Sequence, residues 1–326
     1  MNKVFIRRLA GSFFLSAALL VRPAIAQTAP APFPSKTVTI IVPLPAGGTT
    51  DIMARMLQPK LAALLGQSVI VDNKVGAGGY LGLEYVASSP PDGHTIALHA
   101  FGGLHSQLFT KGLRDMAREL TPVARLVETA NLAVISTALP QKTLKEFTEY
   151  ARGNKGKLNA AIVSNTAISL DSLVFLRAVG LDLVAVPYNG SAPVYTSLAR
   201  GDTQFFMATV GGSQAAIDAG QVRPLVVTSA KRAVQLPDIP TAHEQGYNIE
   251  ATQIWALLVP VKTPPAVIRI LNEKSTVAIN DPDVRPRLEK QGYIVDPGQP
   301  EALAALLATE SQTLERAARD ARIVPQ

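Results

Sequence analysis

Residues 41–51, IVPLPAGGTTD, contain the change from strand to helix on which the fold assignment rests. They continue an apolar run that starts at Val38, and an apolar run that breaks into proline and glycine indicates a strand ending in a turn. Thr49, Thr50 and Asp51 are residues of the kind that begin a helix. The stretch therefore predicts a strand, a glycine-rich loop and a helix N-terminus in succession, and a helix N-terminus is a common anion site.

The same succession recurs along most of the chain. Apolar runs of strand length alternate with segments whose apolar residues repeat every three or four positions. Repeated units of this kind predict parallel sheets with helices on both faces. The predicted strands are 38–42, 68–71, 95–99, 160–163, 183–186, 205–207, 224–227 and 254–259, with 122–136 as the crossing between two lobes. The predicted C-terminal helices are 265–280, 281–291 and 300–319.

The first 26 residues have the pattern of a secretory signal peptide. A basic start with Arg7 and Arg8 is followed by a mostly apolar stretch, 9–21, and by Ala24-Ile25-Ala26, which fits an A-x-A cleavage site. The alternative is a membrane anchor, but the apolar stretch is shorter than the roughly 20 residues that a spanning helix needs. We therefore expect cleavage after about Ala26 and a mature protein in the periplasm.

Composition excludes several classes of partner and chemistry. The net charge is +6, but four basic residues and no acidic ones lie in residues 1–26, so the remainder carries +2. This balance gives little reason to expect nucleic acid as a partner. The chain has no cysteine, which excludes disulfides, thiolate metal sites and a cysteine nucleophile. The 300 residues after the signal segment suggest two lobes of ordinary domain size.

No catalytic motif is recognisable. Gly211-Gly212-Ser213 lacks the final glycine of G-x-S-x-G, and His243-Glu244 lacks the second histidine of H-E-x-x-H. The glycine-rich stretch that starts at Gly76 has Leu81 where a dinucleotide fingerprint has its last glycine. His99 and His105 are close in sequence without a third metal ligand. We expect no enzymatic activity, no cofactor and no metal site.

Two glycine-rich loops remain, one before Thr49 and one before Tyr80. Each follows a predicted strand and precedes a helix, so each offers backbone N–H groups to an anion. The N–H groups expected to be free and to converge on one anionic group belong to Gly47, Gly48, Thr49, Gly78 and Gly79. The alternative for either loop is a tight turn, with Thr50 or Asp51 as the N-cap. Two such loops in one lobe favour a binding site, because ligands of open α/β sheets lie beyond the carboxyl ends of strands.

Five stretches carry a family resemblance: IVPLPAGGTTD (41–51), LAALLGQSVIVDNKVGAGG (61–79), PPDGHT (90–95), VPYNGSAP (186–193) and LPDIPTAHEQGY (236–247). The chain after residue 26 resembles the substrate-binding proteins of tripartite tricarboxylate transporters, also called Bug receptors. The resemblance implies an α/β fold of the two-lobed periplasmic-binding-protein (Venus flytrap) type. Each lobe is a mostly parallel sheet flanked by helices, with the ligand cleft between the lobes. The implied lobes are 27–125 with about 252–298, and about 126–251 with about 299–326.

The resemblance also implies a function. The expected protein is a periplasmic solute-binding protein that captures a small organic mono- or dicarboxylate. It would act as a monomer, without cofactor, and deliver the ligand to the membrane permease subunits of a tripartite tricarboxylate transporter. The alternative is a periplasmic sensor subunit that signals to a two-component histidine kinase.

In this family the carboxylate is held by main-chain amides, hydroxyls and bridging waters. Carried over by position, the resemblance implies ligand contacts in both lobes. The implied residues are Leu44, Ala46, Gly47, Gly48, Thr49, Gly78 and Gly79 in the first lobe, and Ser164, Asn165, Thr166, Ser169, Tyr188 and Asn189 in the second.

Departures from the family pattern bear on the ligand. Ala208 stands where some relatives have an acidic residue that meets an amino group, and a buried ligand ammonium without a partner is costly. We therefore predict a ligand without an amino group. An apolar or aromatic ligand body would touch Leu44, Phe101, Phe206 or Met207, and the alternative is that these side chains belong to the core.

Two further residues are assigned roles from their positions. Trp255 either lines the cleft or has an interior role near the hinge. Asp171 is expected in the first turn of a helix, where a carboxylate interacts favourably with the helix dipole.

Overall fold

The computed structural model describes residues 33–47, 49–163, 166–188, 190–320 and 325; the predicted signal segment lies outside them. The described strands are β1 (Val38–Val42), β2 (Val69–Asn73), β3 (Thr95–Ala100), β4 (Leu120–Ser136), β5 (Asn159–Val163), β6 (Val184–Tyr188), β7 (Phe205–Thr209), β8 (Val222–Val227) and β9 (Thr252–Pro260). The described α-helices are α1 (Thr49–Leu65), α2 (Tyr80–Ala87), α3 (Met116–Glu119), α4 (Leu144–Gly153), α5 (Ala167–Ala178), α6 (Ser191–Arg200), α7 (Val210–Asp218), α8 (Pro265–Ile279), α9 (Arg285–Lys290) and α10 (Pro300–Asp320). Short 3-10 segments cover Ala77–Gly79 and Phe101–Leu108.

Every strand predicted from the apolar runs is present in the described chain. The largest difference among the helices concerns α9, which begins at Arg285 rather than at Asp281. The backbone N–H of Asp283 donates to the carboxylate of Asp281 at 2.9 Å, and this local turn replaces the expected first helical turn.

The sheet explains how two lobes arise from one chain. β1 pairs in parallel with β2 and β3, and β5 pairs in parallel with β6 and β7. The long strand β4 belongs to both groups, because residues 120–130 pair with β9 and residues 131–136 pair with β7 and β8. β9 also pairs antiparallel with β3. β4 therefore crosses between the two groups, as predicted for the stretch 122–136, and β4 with its antiparallel neighbour β9 are called the crossing strands.

Each lobe is covered on both faces of its sheet. The adjacent residues Ile40 and Ile41 are fully buried but belong to different apolar clusters, one on each side of β1. Phe205 and Phe206 divide in the same way between the two clusters of the second lobe. Because alternate side chains of a strand point to opposite faces, both halves of the sheet carry helices on both sides. None of the described helices is long and apolar enough to cross a membrane.

The C-terminal helix α10 packs against both lobes. Leu303 and Leu307 belong to a core cluster of the first lobe, whereas Leu314 packs with Leu170 of α5. Glu310 continues the same three- and four-residue spacing, so its carboxyl group lies on the packed side of the helix. The limits of the lobes stay a prediction, since α10 contributes to both cores.

Glu310 gives a test of this packing through pH. Burial, together with the nearby charge of Asp171, raises the pKa of Glu310 to about 8. The folded protein therefore binds a proton that the unfolded chain, with a glutamate pKa of about 4.3, releases earlier. The resulting contribution to the free energy of unfolding is present below about pH 4 and is lost as the pH rises through about 8.

We expect Glu310→Gln to flatten the fall in the free energy of unfolding between about pH 5 and pH 8, measured by urea denaturation at several pH values. Glu301→Gln, at an exposed position in the first turn of the same helix, is the matched control and should leave the pH dependence unchanged. The packing assignment is wrong if Glu310→Gln and the wild type show the same pH dependence.

Candidate functional site

The first glycine-rich loop joins the end of β1 to the start of α1. Gly47 has a φ of 82°, a left-handed conformation that favours glycine, and a Cβ at this position would meet no atom within 4 Å. Ala46 and Gly47 are exposed, whereas Leu44 is partly buried and packs against the core. Thr49 begins α1 as predicted, and Gly48 lies outside the described residues.

Asp51 organises this loop from its inner side. Its carboxylate accepts hydrogen bonds from the Gly47 backbone N–H at 2.8 Å, from Arg55 Nε at 2.9 Å and from Asn73 Nδ2 at 3.0 Å. Asn73 Nδ2 also donates to the Leu44 carbonyl at 3.0 Å. The hydrogen bond from Arg55, helped by those from Gly47 and Asn73, lowers the pKa of Asp51 to about 2. The loop, the first turn of α1 and the end of β2 are thus held as one unit.

The second glycine-rich loop lies directly beside the first. A Cβ on Gly79 would lie 3.4 Å from Pro43 Cβ, and a Cβ on Gly82 would lie 2.9 Å from Pro43 Cα. Gly78 is exposed and Gly79 is buried, and their φ values of 68° and 103° require the conformational freedom of glycine. The structure therefore brings together the two loops that the sequence predicted as neighbours.

Two of the N–H groups expected to be free are already bonded within the protein. Gly47 donates to Asp51, and Gly79 donates to the Gly76 carbonyl at 2.9 Å. The expectation that both point freely at an anion was therefore wrong for this conformation. The physical reason is local: each loop satisfies the N–H groups that would otherwise be unpaired at its helix start.

The predicted residues of the second lobe surround the start of α5 and the end of β6. The hydroxyl of Thr166 donates to the Val163 carbonyl at 2.7 Å, and the hydroxyl of Ser169 donates to the same carbonyl. The hydroxyl of Tyr188 donates to Ser197 Oγ at 2.7 Å. Ser164, Asn165 and Asn189 lie outside the described residues. The hydroxyls of Thr166 and Ser169 thus fix the local backbone, and the oxygen lone pairs of all three hydroxyls can still accept from other groups.

The apolar candidates belong to the core. Phe101 is fully buried in the same cluster as Ile41 and Tyr80, as the core alternative predicted, and its contact with a ligand stays a prediction. Phe101 is the first residue after β3 and belongs to a core cluster with Leu83 of α2 and Leu104 of the 3-10 segment. Phe206 and Met207 are also buried, as the core alternative predicted. Ala208 lies beside them, likewise buried, in the cluster under α6 and α7.

Trp255 links the first loop to the crossing strands. Its indole Nε1 donates to Thr50 Oγ1 at 3.1 Å, and its ring packs edge-on against Tyr293 with centroids 5.8 Å apart. Tyr293 in turn lies 3.5 Å from the position of a Cβ on Gly211, at the start of α7 in the second lobe. Trp255 is partly buried on β9, which fits the interior role near the hinge.

Asp171 forms a second link, which the sequence did not reveal. It lies in the second turn of α5, not in the first, so the expected dipole role was wrong. Its Oδ2 accepts from Asn131 Nδ2 at 2.8 Å and from Gln253 Nε2 at 2.9 Å, one donor from each crossing strand. Burial raises the pKa of Asp171 to about 6, although the two amide donors act in the opposite direction.

The two histidines of the first lobe differ in their partners. His105 has Phe101 O at 3.2 Å from Nδ1 and Ser311 Oγ at 2.8 Å from Nε2. His99 lies next to Gly79, and neither of its ring nitrogens has a partner among the described residues. The described residues contain no group of three His, Cys, Asp or Glu side chains placed to hold a metal ion.

A cavity of about 620 Å³ lies elsewhere along the junction of the lobes. It is lined by acidic and basic residues, including Glu128, Lys231, Arg232 and Glu250, and by Tyr293. None of the described residues predicted to contact a ligand lines this cavity. The cavity and the paired loops are therefore two separate places at which a small molecule could bind.

Comparisons with known proteins identify relatives along most of the chain. The sequence profile described as "Tripartite tricarboxylate transporter family receptor" matches residues 53–320. The "UPF0065 protein in tcbD-tcbE intergenic region" of Pseudomonas sp. (strain P51) is 33% identical over 288 residues, which cover 87% of this chain and 86% of that protein.

Two solved structures are similar over nearly their whole length. R. palustris Rpa4515 with adipate matches with a TM-score of 0.79 and 30% identity, covering 90% of this chain and 100% of that one. MatC from Rhodopseudomonas palustris with bound malate matches with a TM-score of 0.75 and 30% identity, covering 88% of this chain and 100% of that one. These matches confirm the two-lobed α/β fold.

The Asp51 network predicts a specific loss of stability. Asp51→Asn removes the charge that pairs with Arg55, and hydrogen bonds to charged groups contribute about 2 kcal/mol. We expect the free energy of unfolding at pH 7 to fall by about that amount. Because the folded pKa of Asp51 is lowered, the difference from wild type should hold above about pH 4 and shrink as the pH falls toward 2.

The control is Asp72→Asn, which removes an ion pair with Lys74 at 3.2 Å on a side chain that is 45% exposed. Exposed pairs of this kind contribute about 0–1 kcal/mol. Equal effects of the two substitutions in urea denaturation would show that Asp51 does not organise the loop.

Proposed function

This chain belongs to the tripartite tricarboxylate transporter receptor family, as its five stretches predicted, and we propose that it captures a small organic carboxylate in the periplasm. The family is one of receptors, so the expectation that the chain is not an enzyme is confirmed. In this proposal residues 1–26 direct export and are removed after about Ala26. The mature protein then acts as a monomer and delivers its ligand to the permease subunits of a tripartite tricarboxylate transporter.

The observation that carries the proposal is the meeting of two strand-to-helix glycine loops in one lobe. Pro43 at the end of β1 contacts the helix start that follows β2, so both loops lie beyond the carboxyl ends of neighbouring parallel strands. This is the position at which open α/β sheets bind ligands, and backbone N–H groups at helix starts suit an anion. The remaining predicted contacts, from Thr166, Ser169 and Tyr188, would reach the ligand from the second lobe.

In this proposal, ligand binding is coupled to lobe closure by hydrogen bonds between the helices and the crossing strands. Thr50 at the start of α1 is bonded to Trp255 on β9, so an anion that moves this helix start also acts on the hinge. A ligand stabilises the closed form only by the additional contacts that it makes there. The permease would then recognise the closed shape.

The proposed ligand class is a mono- or dicarboxylate without an amino group. Two relatives with similar folds are described with adipate and with malate, which are dicarboxylates. Ala208 is buried, and its methyl side chain offers no acceptor to an ammonium group. Aspartate and malate differ by an amino group in place of a hydroxyl, so together they test this part of the proposal.

We expect calorimetric titration to detect binding of at least one acid in a panel of adipate, malate and aliphatic and aromatic monocarboxylates, with Kd roughly micromolar or tighter. Aspartate should bind at least about tenfold more weakly than malate, a difference of about 1.4 kcal/mol. Trp255, the one tryptophan in the sequence, should report the same titration by its fluorescence. No binding by any acid would refute the proposed function, and tight binding of aspartate would refute the ligand class.

A pair of glycine substitutions tests the location. Gly47→Ala and Gly66→Ala place a Cβ on left-handed backbone with no atom within 4 Å, so both should cost about 1 kcal/mol of stability. Only Gly47 lies in the proposed site, and only Gly47→Ala should weaken binding of the tightest acid, by about tenfold or more. An equal affinity of the two variants would place the ligand elsewhere.

A further inference from the structure

His99 is a buried histidine whose ring has no hydrogen-bond partner among the described residues. It lies near the carboxyl end of β3 with 5% of its surface exposed, and both Nδ1 and Nε2 are unpaired. A buried polar group without a partner destabilises the fold, and the large majority of buried side-chain polar atoms are satisfied. His105, six residues later, has a partner at each ring nitrogen. The orphaned ring of His99 therefore requires an explanation that His105 does not.

The ring lies among the loops that follow three neighbouring parallel strands. Its Nε2 is 3.1 Å from the position of a Cβ on Gly79, after β2, and 2.1 Å from that of a Cβ on Gly103, after β3. Pro43, after β1, borders the same position on Gly79 at 3.4 Å. A side chain at Gly103 would overlap the imidazole, so the glycine leaves the space that the ring occupies. His99 is thus placed beneath the start of α2, at the edge of the sheet where ligands bind.

Burial also fixes the charge of the ring. Desolvation lowers the pKa of His99 to about 4, and no charged group contributes to this change. At neutral pH the imidazole is uncharged, with one nitrogen as donor and the other as acceptor. It can therefore hydrogen-bond to an oxygen without adding a positive charge to the site.

We propose that His99 is a ligand-binding residue whose Nε2–H donates to a carboxylate oxygen of the bound acid at the Ala77–Gly79 turn. The proposal rests on the proposed function, because it assigns a side-chain donor to the same site. Gly79 covers Nε2 in this conformation, so the proposal includes a shift of the Ala77–Gly79 turn when the acid binds, and the exposed Gly78 lies on the outer side of that turn. The backbone amide of Gly79 is bonded to Gly76, so the ring supplies a donor that this amide does not.

The test separates a ligand contact from a structural role by two readouts. His99→Leu, His99→Gln and His105→Leu are titrated with adipate, or with malate where malate binds wild type more tightly. Their thermal unfolding is measured without added acid. His99→Leu removes an unpaired polar group, so we expect an unchanged or higher Tm together with at least a tenfold weaker affinity. His99→Gln keeps an N–H donor at a similar reach and should recover part of the affinity.

His105→Leu is the matched control, since it removes a buried histidine that has partners on both nitrogens. It should lower the Tm and leave the affinity unchanged. Should His99→Leu fail to fold, His99→Gln is used for the test. The amide N–H of glutamine reaches about as far as Nε2, whereas that of asparagine is shorter by one carbon. About equal affinities of His99→Asn and His99→Gln would therefore overturn the assignment of the donor to Nε2. Wild-type affinity in His99→Leu, with a lowered Tm, would show a purely structural role.

The failure of this inference is distinguishable from the failure of the proposed function. Binding of the acid by wild type and by His99→Leu with equal affinity overturns the role of His99 and leaves the receptor function intact. Absence of binding by wild type itself overturns both.

Discussion

The carboxylate of Asp51 is the group on which the geometry of the first loop depends. It accepts hydrogen bonds from the loop through Gly47, from α1 through Arg55 and from the end of β2 through Asn73. A loop that receives an anion must hold its donors in place before the anion arrives, because ordering them on binding costs affinity. Arg55 offsets the negative charge of Asp51, so the carboxylate can shape the loop with less repulsion of a negatively charged ligand.

The two lobes are connected to the same pair of crossing strands by polar contacts. Thr50 at the start of α1 accepts from Trp255 on β9, and Asp171 in α5 accepts from Asn131 on β4 and Gln253 on β9. Both helices begin at predicted ligand contacts. In the proposed function, a displacement of α1 or α5 on ligand binding acts on β4 and β9 through these hydrogen bonds and so favours closure.

Much of the fold was predictable because it depends on local patterns. Apolar runs such as Val38–Val42 mark strands, and glycine followed by threonine and aspartate marks a helix start, so the βα units and the crossing strand β4 follow from the sequence. The family resemblance supplied the two-lobed architecture and the receptor function. The βα units are repeated along the chain, and their prediction does not depend on any one tertiary contact.

The site was less predictable because it depends on contacts between residues far apart in sequence. The bonding of Gly47 to Asp51 was open to inference, but the role of Asn73, 22 residues from Asp51, was not. The positions of the Phe101 and His99 rings depend on how the end of β3 packs against the segments around it. The ring of Phe101 is buried in the core, and the ring of His99 lies against Gly79 and Gly103. A sequence pattern gives no sign of which of two nearby side chains will be left without a partner.

A crystal structure of the protein with the tightest-binding acid tests the central claim most directly. The account predicts electron density for the acid between the lobes, with a carboxylate oxygen within about 3 Å of backbone N–H groups in residues 44–49 or 77–79. Density for the acid in the cavity lined by Lys231 and Arg232, with both glycine loops unoccupied, would contradict it.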